Sequence, residues 1–153
     1  MKHINIKLAL ALLLSALMFL SVGCNKDDDN NPTGGNVTAG GLTGTWSLSE
    51  VTINPGTDSV QVLNQFALQL AGVSMVLLVN EGGTYSITTS DSSGASTETG
   101  TWSVSGSNIT ITPTGDTGET LPFSLDGNTL TLTVAALEFG EDVFPAILKF
   151  AKQ

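Results

Sequence analysis

The chain has 153 residues, a net charge of −9 and charged side chains at only 12% of positions. It carries five Lys, no Arg and a single His. These counts exclude a nucleic-acid-binding surface, because phosphate contacts need clustered Lys and Arg. One Cys excludes a disulfide framework and a Cys-based zinc site, and the length suits a single domain.

The first segment reads as an address. Lys2, His3 and Lys7 form a positive start, and Leu8 to Leu20 is apolar except for Ser15. That run has the length of a secretory core and falls short of the ~20 apolar residues that span a bilayer. It ends in Leu20-Ser21-Val22-Gly23-Cys24. Residues 1–23 are therefore expected to be a signal peptide.

The junction resembles the lipobox of bacterial lipoproteins: an apolar stretch, small residues, Gly, then the Cys that becomes the mature N-terminus. Ser21 stands where that family usually has Leu, a looser form common in the Bacteroidetes. The resemblance implies that the thiol of Cys24 takes a diacylglyceryl group as a thioether. Each buried CH₂ of such an anchor contributes ~0.8 kcal/mol, and more than one chain suffices for stable attachment. Lys26, Asp27 and Asp28 resemble the Lys-Asp-Asp export tag of lipoproteins displayed on the outer face of the outer membrane. An outer-membrane, lipid-anchored, surface-exposed location follows as the expectation. Asp27, Asp29 and Asn31 alternate like the start of a calcium loop, but Pro32 and Thr38 occupy the positions that need Gly and Glu.

Residues 25–41 are mainly Asn, Asp, Gly, Thr and Pro. Such a segment buries too little to offset its ordering entropy. The lipidated terminus and linker, 24–41, would give a flexible reach of roughly 20–25 Å.

Residues 42–153 hold eighteen Thr and thirteen Ser, a composition that favours strands. Alternation marks Trp46-Ser47-Leu48, then Val51-Thr52-Ile53 on the opposite parity, so a bulge is predicted at Ser49-Glu50. Residues 58–72 read as one helix, capped by Asp58 with Gln61 three residues on. Leu63, Phe66, Ala67 and Leu70 would form its buried stripe, and Gly72 its stop. Met75 to Val79 is wholly apolar and predicts a strand buried on both faces. Strands follow at Tyr85 to Ile87, Trp102 to Val104, Ile109 to Ile111, Leu121 to Leu125 and Leu130 to Val134. Pro122 predicts an edge or a bulge in its strand. Asn80 to Gly83, Ser105 to Asn108 and Asp126-Gly127 carry hairpin signals. Ala146 to Phe150 is the run that closes the sheet.

Gly44-x-Trp46, Glu81-Gly82-Gly83-Thr84-Tyr85, Gly100-Thr101-Trp102 and Asn128-Thr129-Leu130-Thr131-Leu132 occur in that order. Together they resemble the lipocalin-like domains of bacterial lipoproteins over about ninety of the 112 residues. The resemblance implies an all-β, antiparallel up-and-down barrel or half-barrel of about eight strands, here with one inserted helix. It implies no catalytic residue.

Enzymatic chemistry is not expected. With His3 and the thiol of Cys24 spent on export and acylation, Ser-His-Asp and Cys-His arrangements are impossible. Asp91, Glu98, Asp116, Glu119 and Asp126 fall in or beside predicted turns, where solvated charges belong. Glu138, Glu141 and Asp142 read as a solvated loop, and no cofactor or metal is called for. Two readings of the domain remain. In the first, the barrel binds a small apolar ligand, lined by Trp46, Leu48, Tyr85, Ile87, Trp102, Val104, Phe123 and Leu125. In the second, those residues fill a packed core and an open sheet edge pairs with a protein or glycan. A cavity above ~300 Å³ separates the first from the second.

Overall fold

The computed structural model describes residues 39–139 and 142–153. The expected signal peptide, Cys24 and the expected export tag at Lys26, Asp27 and Asp28 lie outside the described residues, as do Gly140, Glu141 and the side chains of Glu138 and Asp142. Among the described residues, nine strands form one antiparallel sheet: β1 (Gly44–Ile53), β2 (Gln61–Asn64), β3 (Ser74–Val79), β4 (Thr84–Asp91), β5 (Gly94–Ser105), β6 (Asn108–Pro113), β7 (Glu119–Asp126), β8 (Thr129–Phe139) and β9 (Asp142–Lys152). Strands β3 to β9 follow one another in space as in sequence, and β9 returns to β1. The result is a closed eight-stranded up-and-down barrel, not a half-barrel, and β2 lies outside the ring.

Closure depends on β1 and β9. They pair from Trp46↔Lys152 to Ile53↔Ala146, with the register slipping between Leu48 and Glu50. Ser49 is the extra residue, as the parity change predicts, and its hydroxyl donates to the Lys149 carbonyl at 3.0 Å. The bulge bends β1 so that Trp46 and Leu48 before it, and Val51 and Ile53 after it, all point inward and are buried.

The predicted helix over 58–72 is corrected. Strand β3 pairs with β1 only as far as Ser47↔Val76. Beyond that, the same edge of β1 would be left without partners, and β2 fills it from Glu50↔Asn64 to Ile53↔Gln61. Tertiary pairing thus overrides the helical pattern. Only α2 (Gln65–Leu70) remains helical. Its cap is Asn64, whose Oδ1 accepts from the Ala67 N–H at 3.0 Å, and not Asp58. Gly72, at φ +68°, ends it as expected. The stripe is also corrected: Leu68 is buried, whereas Phe66 and Leu70 are 72% and 80% exposed.

Two further expectations fail. Strand β3 alternates: Met75, Leu77 and Val79 are buried, but Val76 and Leu78 face outward at 36% and 38% exposure. A barrel strand has only one interior face, so the apolar run carries no second burial. Pro122 sits in neither an edge strand nor a bulge. It pairs with Asn108 at the end of the β6 ladder, and the β8 register begins one residue later at Phe123↔Leu132. Its missing N–H therefore falls where the β8 ladder has not begun.

The abundant Thr lies largely on the outer face. Thr88 and Thr97 approach hydroxyl to hydroxyl at 3.0 Å, and Thr110 and Thr120 at 2.9 Å, each pair directly opposite across strands. Inside, a single core cluster runs from Leu42 and Trp46 to Leu148 and Phe150.

Candidate functional site

The register gives the barrel two unlike ends. One end gathers α1 (Ala39–Leu42), the start of β1, the close of β9, and the β3–β4, β5–β6 and β7–β8 turns. The other gathers the β2–α2 insert and the β4–β5, β6–β7 and β8–β9 turns.

The first end is plugged. Trp46 is fully buried and its indole N–H donates to the Leu42 carbonyl at 2.8 Å. The ammonium of Lys152 lies 5.1 Å from the centre of that ring. Trp102 donates to the Asn80 carbonyl at 3.1 Å, which ties β5 to the β3–β4 turn. Tyr85 lies against Gly100, where an added Cβ would stand 2.8 Å from the ring. The two Gly-Thr-Trp segments thus serve similar environments at the same end.

Toward the second end lies a cavity of about 30 Å³. Met75 and Leu77 of β3, Ile87 of β4, Ile111 of β6 and Leu121 of β7 line it. The wall is completed by Leu132, Val134 and Ala136 of β8, with Leu148 and Phe150 of β9. A second register shift, between Val134 and Leu137, leaves Ala136 exposed at this rim. Bulges at barrel rims re-aim side chains in this way.

Two carboxylates also line the cavity: Glu98 and Glu119. Both were expected in solvated turns, and that expectation is corrected. Glu98 is opposite Ile87 and Glu119 is opposite Ile111, so both lie on the inner face and are half-buried. Cross-strand partners share a face, which is the physical reason. The signal was present as parity, because Glu98 alternates with Gly100 and Trp102, and Glu119 with Leu121 and Phe123.

Glu98 accepts a hydrogen bond from the Tyr85 hydroxyl at 2.7 Å. Burial, this bond and the neighbouring carboxylate charge hold the Tyr85 phenol well above its ordinary value of 10.0. Burial alone raises the Glu119 carboxyl above its usual 4.5. Away from the cavity, at the end of β4, Asp91 is lowered by hydrogen bonds from the Ser93 hydroxyl and N–H.

Of the sequence-derived lining residues, Ile87 borders the cavity. Trp46, Leu48, Tyr85, Trp102 and Phe123 are buried in the surrounding core, and Val104 and Leu125 pack against it half-buried. Among the described residues, no group of three potential metal ligands comes together, and no helix is long and apolar enough to cross a membrane.

A family model for a lipocalin-like domain matches residues 42–134, more than half of the chain. The matched span stops before β9, the strand that closes the ring. Solved structures similar to the chain include an uncharacterized protein from Bacteroides eggerthii, at 14% identity over 72% of this chain and 98% of that one, with a TM-score of 0.47. A lipocalin-like protein from Bacteroides uniformis aligns at 17% identity over 74% and 99%, with a TM-score of 0.45. Fatty-acid-binding protein 1 of Echinococcus granulosus aligns at 14% identity over 74% and 98%, with a TM-score of 0.38. No curated protein matches the chain at a significant level.

Proposed function

We propose, since the chain belongs to the lipocalin-like domain family, that it is a non-enzymatic, surface-displayed lipoprotein of the outer membrane whose barrel seats a slender apolar group at the end opposite Trp46. The observation that carries the binding reading is the cavity between Ile87, Ile111, Leu121 and Leu132, apolar on most sides and bordered by two carboxylates. Its volume, about 30 Å³, sets the scale. Pockets that enclose drug-sized ligands run to ~300–1,000 Å³. The seat therefore takes the end of one alkyl chain or a group of similar width, with the rest of the ligand at the rim. Each methylene withdrawn from water adds ~0.8 kcal/mol.

The placement rests on the sequence alone: Lys2 and Lys7, the apolar run to Leu20, and Cys24. The first described residue, Ala39, joins the barrel at its plugged end, opposite the cavity. Labelled palmitate should enter the chain and be lost with Cys24→Ala; unlabelled wild-type protein would remove the anchor from this reading. Native mass spectrometry of the chain from its own host tests the seat. An adduct of discrete mass, lost in Ile87→Trp, supports it; no adduct and no cavity-methyl response to small amphiphiles refute it.

A second reading has its own observation. Strand β2 pairs with β1 alone, and Val60, Val62, Phe66 and Leu70 stand exposed on the same insert. An unpaired edge beside apolar side chains suits strand addition by a protein partner. On this reading those amides of Gln61–Asn64 that point away from β1 exchange quickly in the purified chain and are protected in isolated outer membranes.

A further inference from the structure

We propose that the barrel cavity selects apolar molecules bearing a hydrogen-bond donor or a positive charge, such as protonated alkylamines, and turns away alkyl carboxylates. This rests on the ligand-seating reading and specifies its chemistry. The polar groups that line the cavity are Glu98 and Glu119, both acceptors when ionised. Glu98 receives one bond, from Tyr85, which leaves lone pairs on its carboxylate for a ligand. No described residue donates to the side chain of Glu119.

No cation of the domain is available to meet a carboxylate there. The chain has no Arg. Lys149 lies on the outer face, its ammonium 2.8 Å from Glu50. Lys152 sits at the plugged end over Trp46. An alkyl carboxylate entering the cavity would shed water beside two like charges and gain no counter-charge, an uncompensated cost. An ammonium or hydroxyl at the same depth donates to acceptors already aimed inward, and its apolar body meets Ile111 and Leu121. The upward push that burial gives the Glu119 carboxyl has the same origin, a charge short of solvent and of a partner.

The test uses the full acylated chain in nanodiscs of neutral phosphatidylcholine, with ¹³C-labelled Ile methyls and three probes: hexylamine, hexanol and hexanoate. The methyls of Ile87 and Ile111 border the cavity, and Ile147, whose neighbours along β9 point inward, serves as the outer control. Hexylamine should shift Ile87 and Ile111 saturably, about fivefold tighter than hexanol, the effect of one partly screened ion pair. Hexanoate should shift neither. Glu119→Gln and Glu98→Gln should each reduce the amine-over-alcohol ratio. Hexanoate binding as tightly as hexylamine, or a ratio that survives both substitutions, overturns the selectivity while leaving the seat in place. If none of the three probes moves Ile87 or Ile111, the ligand-seating reading itself falls, and the selectivity with it.

Discussion

Gly100→Ala places a methyl group where the barrel wall leaves no room for one. The new Cβ would stand 2.1 Å from the Thr112 carbonyl oxygen, 2.8 Å from Cε1 of Tyr85 and 2.9 Å from Cα of Pro113. Comfortable carbon contacts lie at about 3.5–4.0 Å. Two of the three obstacles are backbone atoms of β6, paired with β5 through Gly100↔Pro113 and Thr101↔Thr112. Relief therefore requires the two strands to part or Tyr85 to leave its site. Overpacking of this kind costs about 3 kcal/mol at the upper end of its usual range. The stiffer unfolded chain returns about 0.4–1 kcal/mol. The net loss is about 2 kcal/mol, which lowers Tm by roughly 10 °C for a domain of this size. Urea unfolding followed by fluorescence of the buried Trp46 and Trp102 measures it. Gly82→Ala is the control: its Cβ meets nothing within 4 Å, and a change within about 0.5 kcal/mol is expected. Equal urea midpoints for the two variants would refute the close-approach argument.

Three further outcomes follow from the interior. Trp46→Phe removes the donor to the Leu42 carbonyl, and leaving a buried acceptor unpaired costs about 1–3 kcal/mol in the same unfolding experiment. Tyr85 is the only Tyr in the chain, so tyrosinate absorbance reports it alone. Its phenol is raised in the folded state, so folding favours the protonated form. The associated stability is complete below the ordinary value of 10.0 and is lost as pH climbs beyond it. Tyrosinate should therefore appear together with unfolding, whereas a titration near the ordinary value with the fold intact would contradict this. Glu119 is raised as well. Its contribution is most favourable at acid pH and is lost as pH rises through the folded value, so Glu119→Gln should stabilise the barrel at neutral pH. That advantage should shrink as pH falls below the ordinary 4.5. A urea midpoint difference that does not vary with pH would remove Glu119 as its source.

The sequence by itself determined the positions of the eight ring strands, the bulge at Ser49 and the run that completes the ring. Each rests on period-2 alternation, a local property that survives without knowledge of partners. The expectation of acylation at Cys24 and of export also rests on local pattern, because an address is read from the extended chain. Tertiary structure alone decided what pairing decides. Gln61–Asn64 became a strand because β3 leaves β1 after Ser47, a vacancy that no local pattern reveals. The outward turn of Val76 and Leu78 followed from ring closure, which gives every strand one dry face and one wet face. Glu98 and Glu119 lie beside turns in sequence, yet they face the same interior space, because register across β4 to β7 sets which residues meet inside. Hydrophobic period tells each residue which side of its own strand it is on, and only closure of the barrel tells which side is the inside.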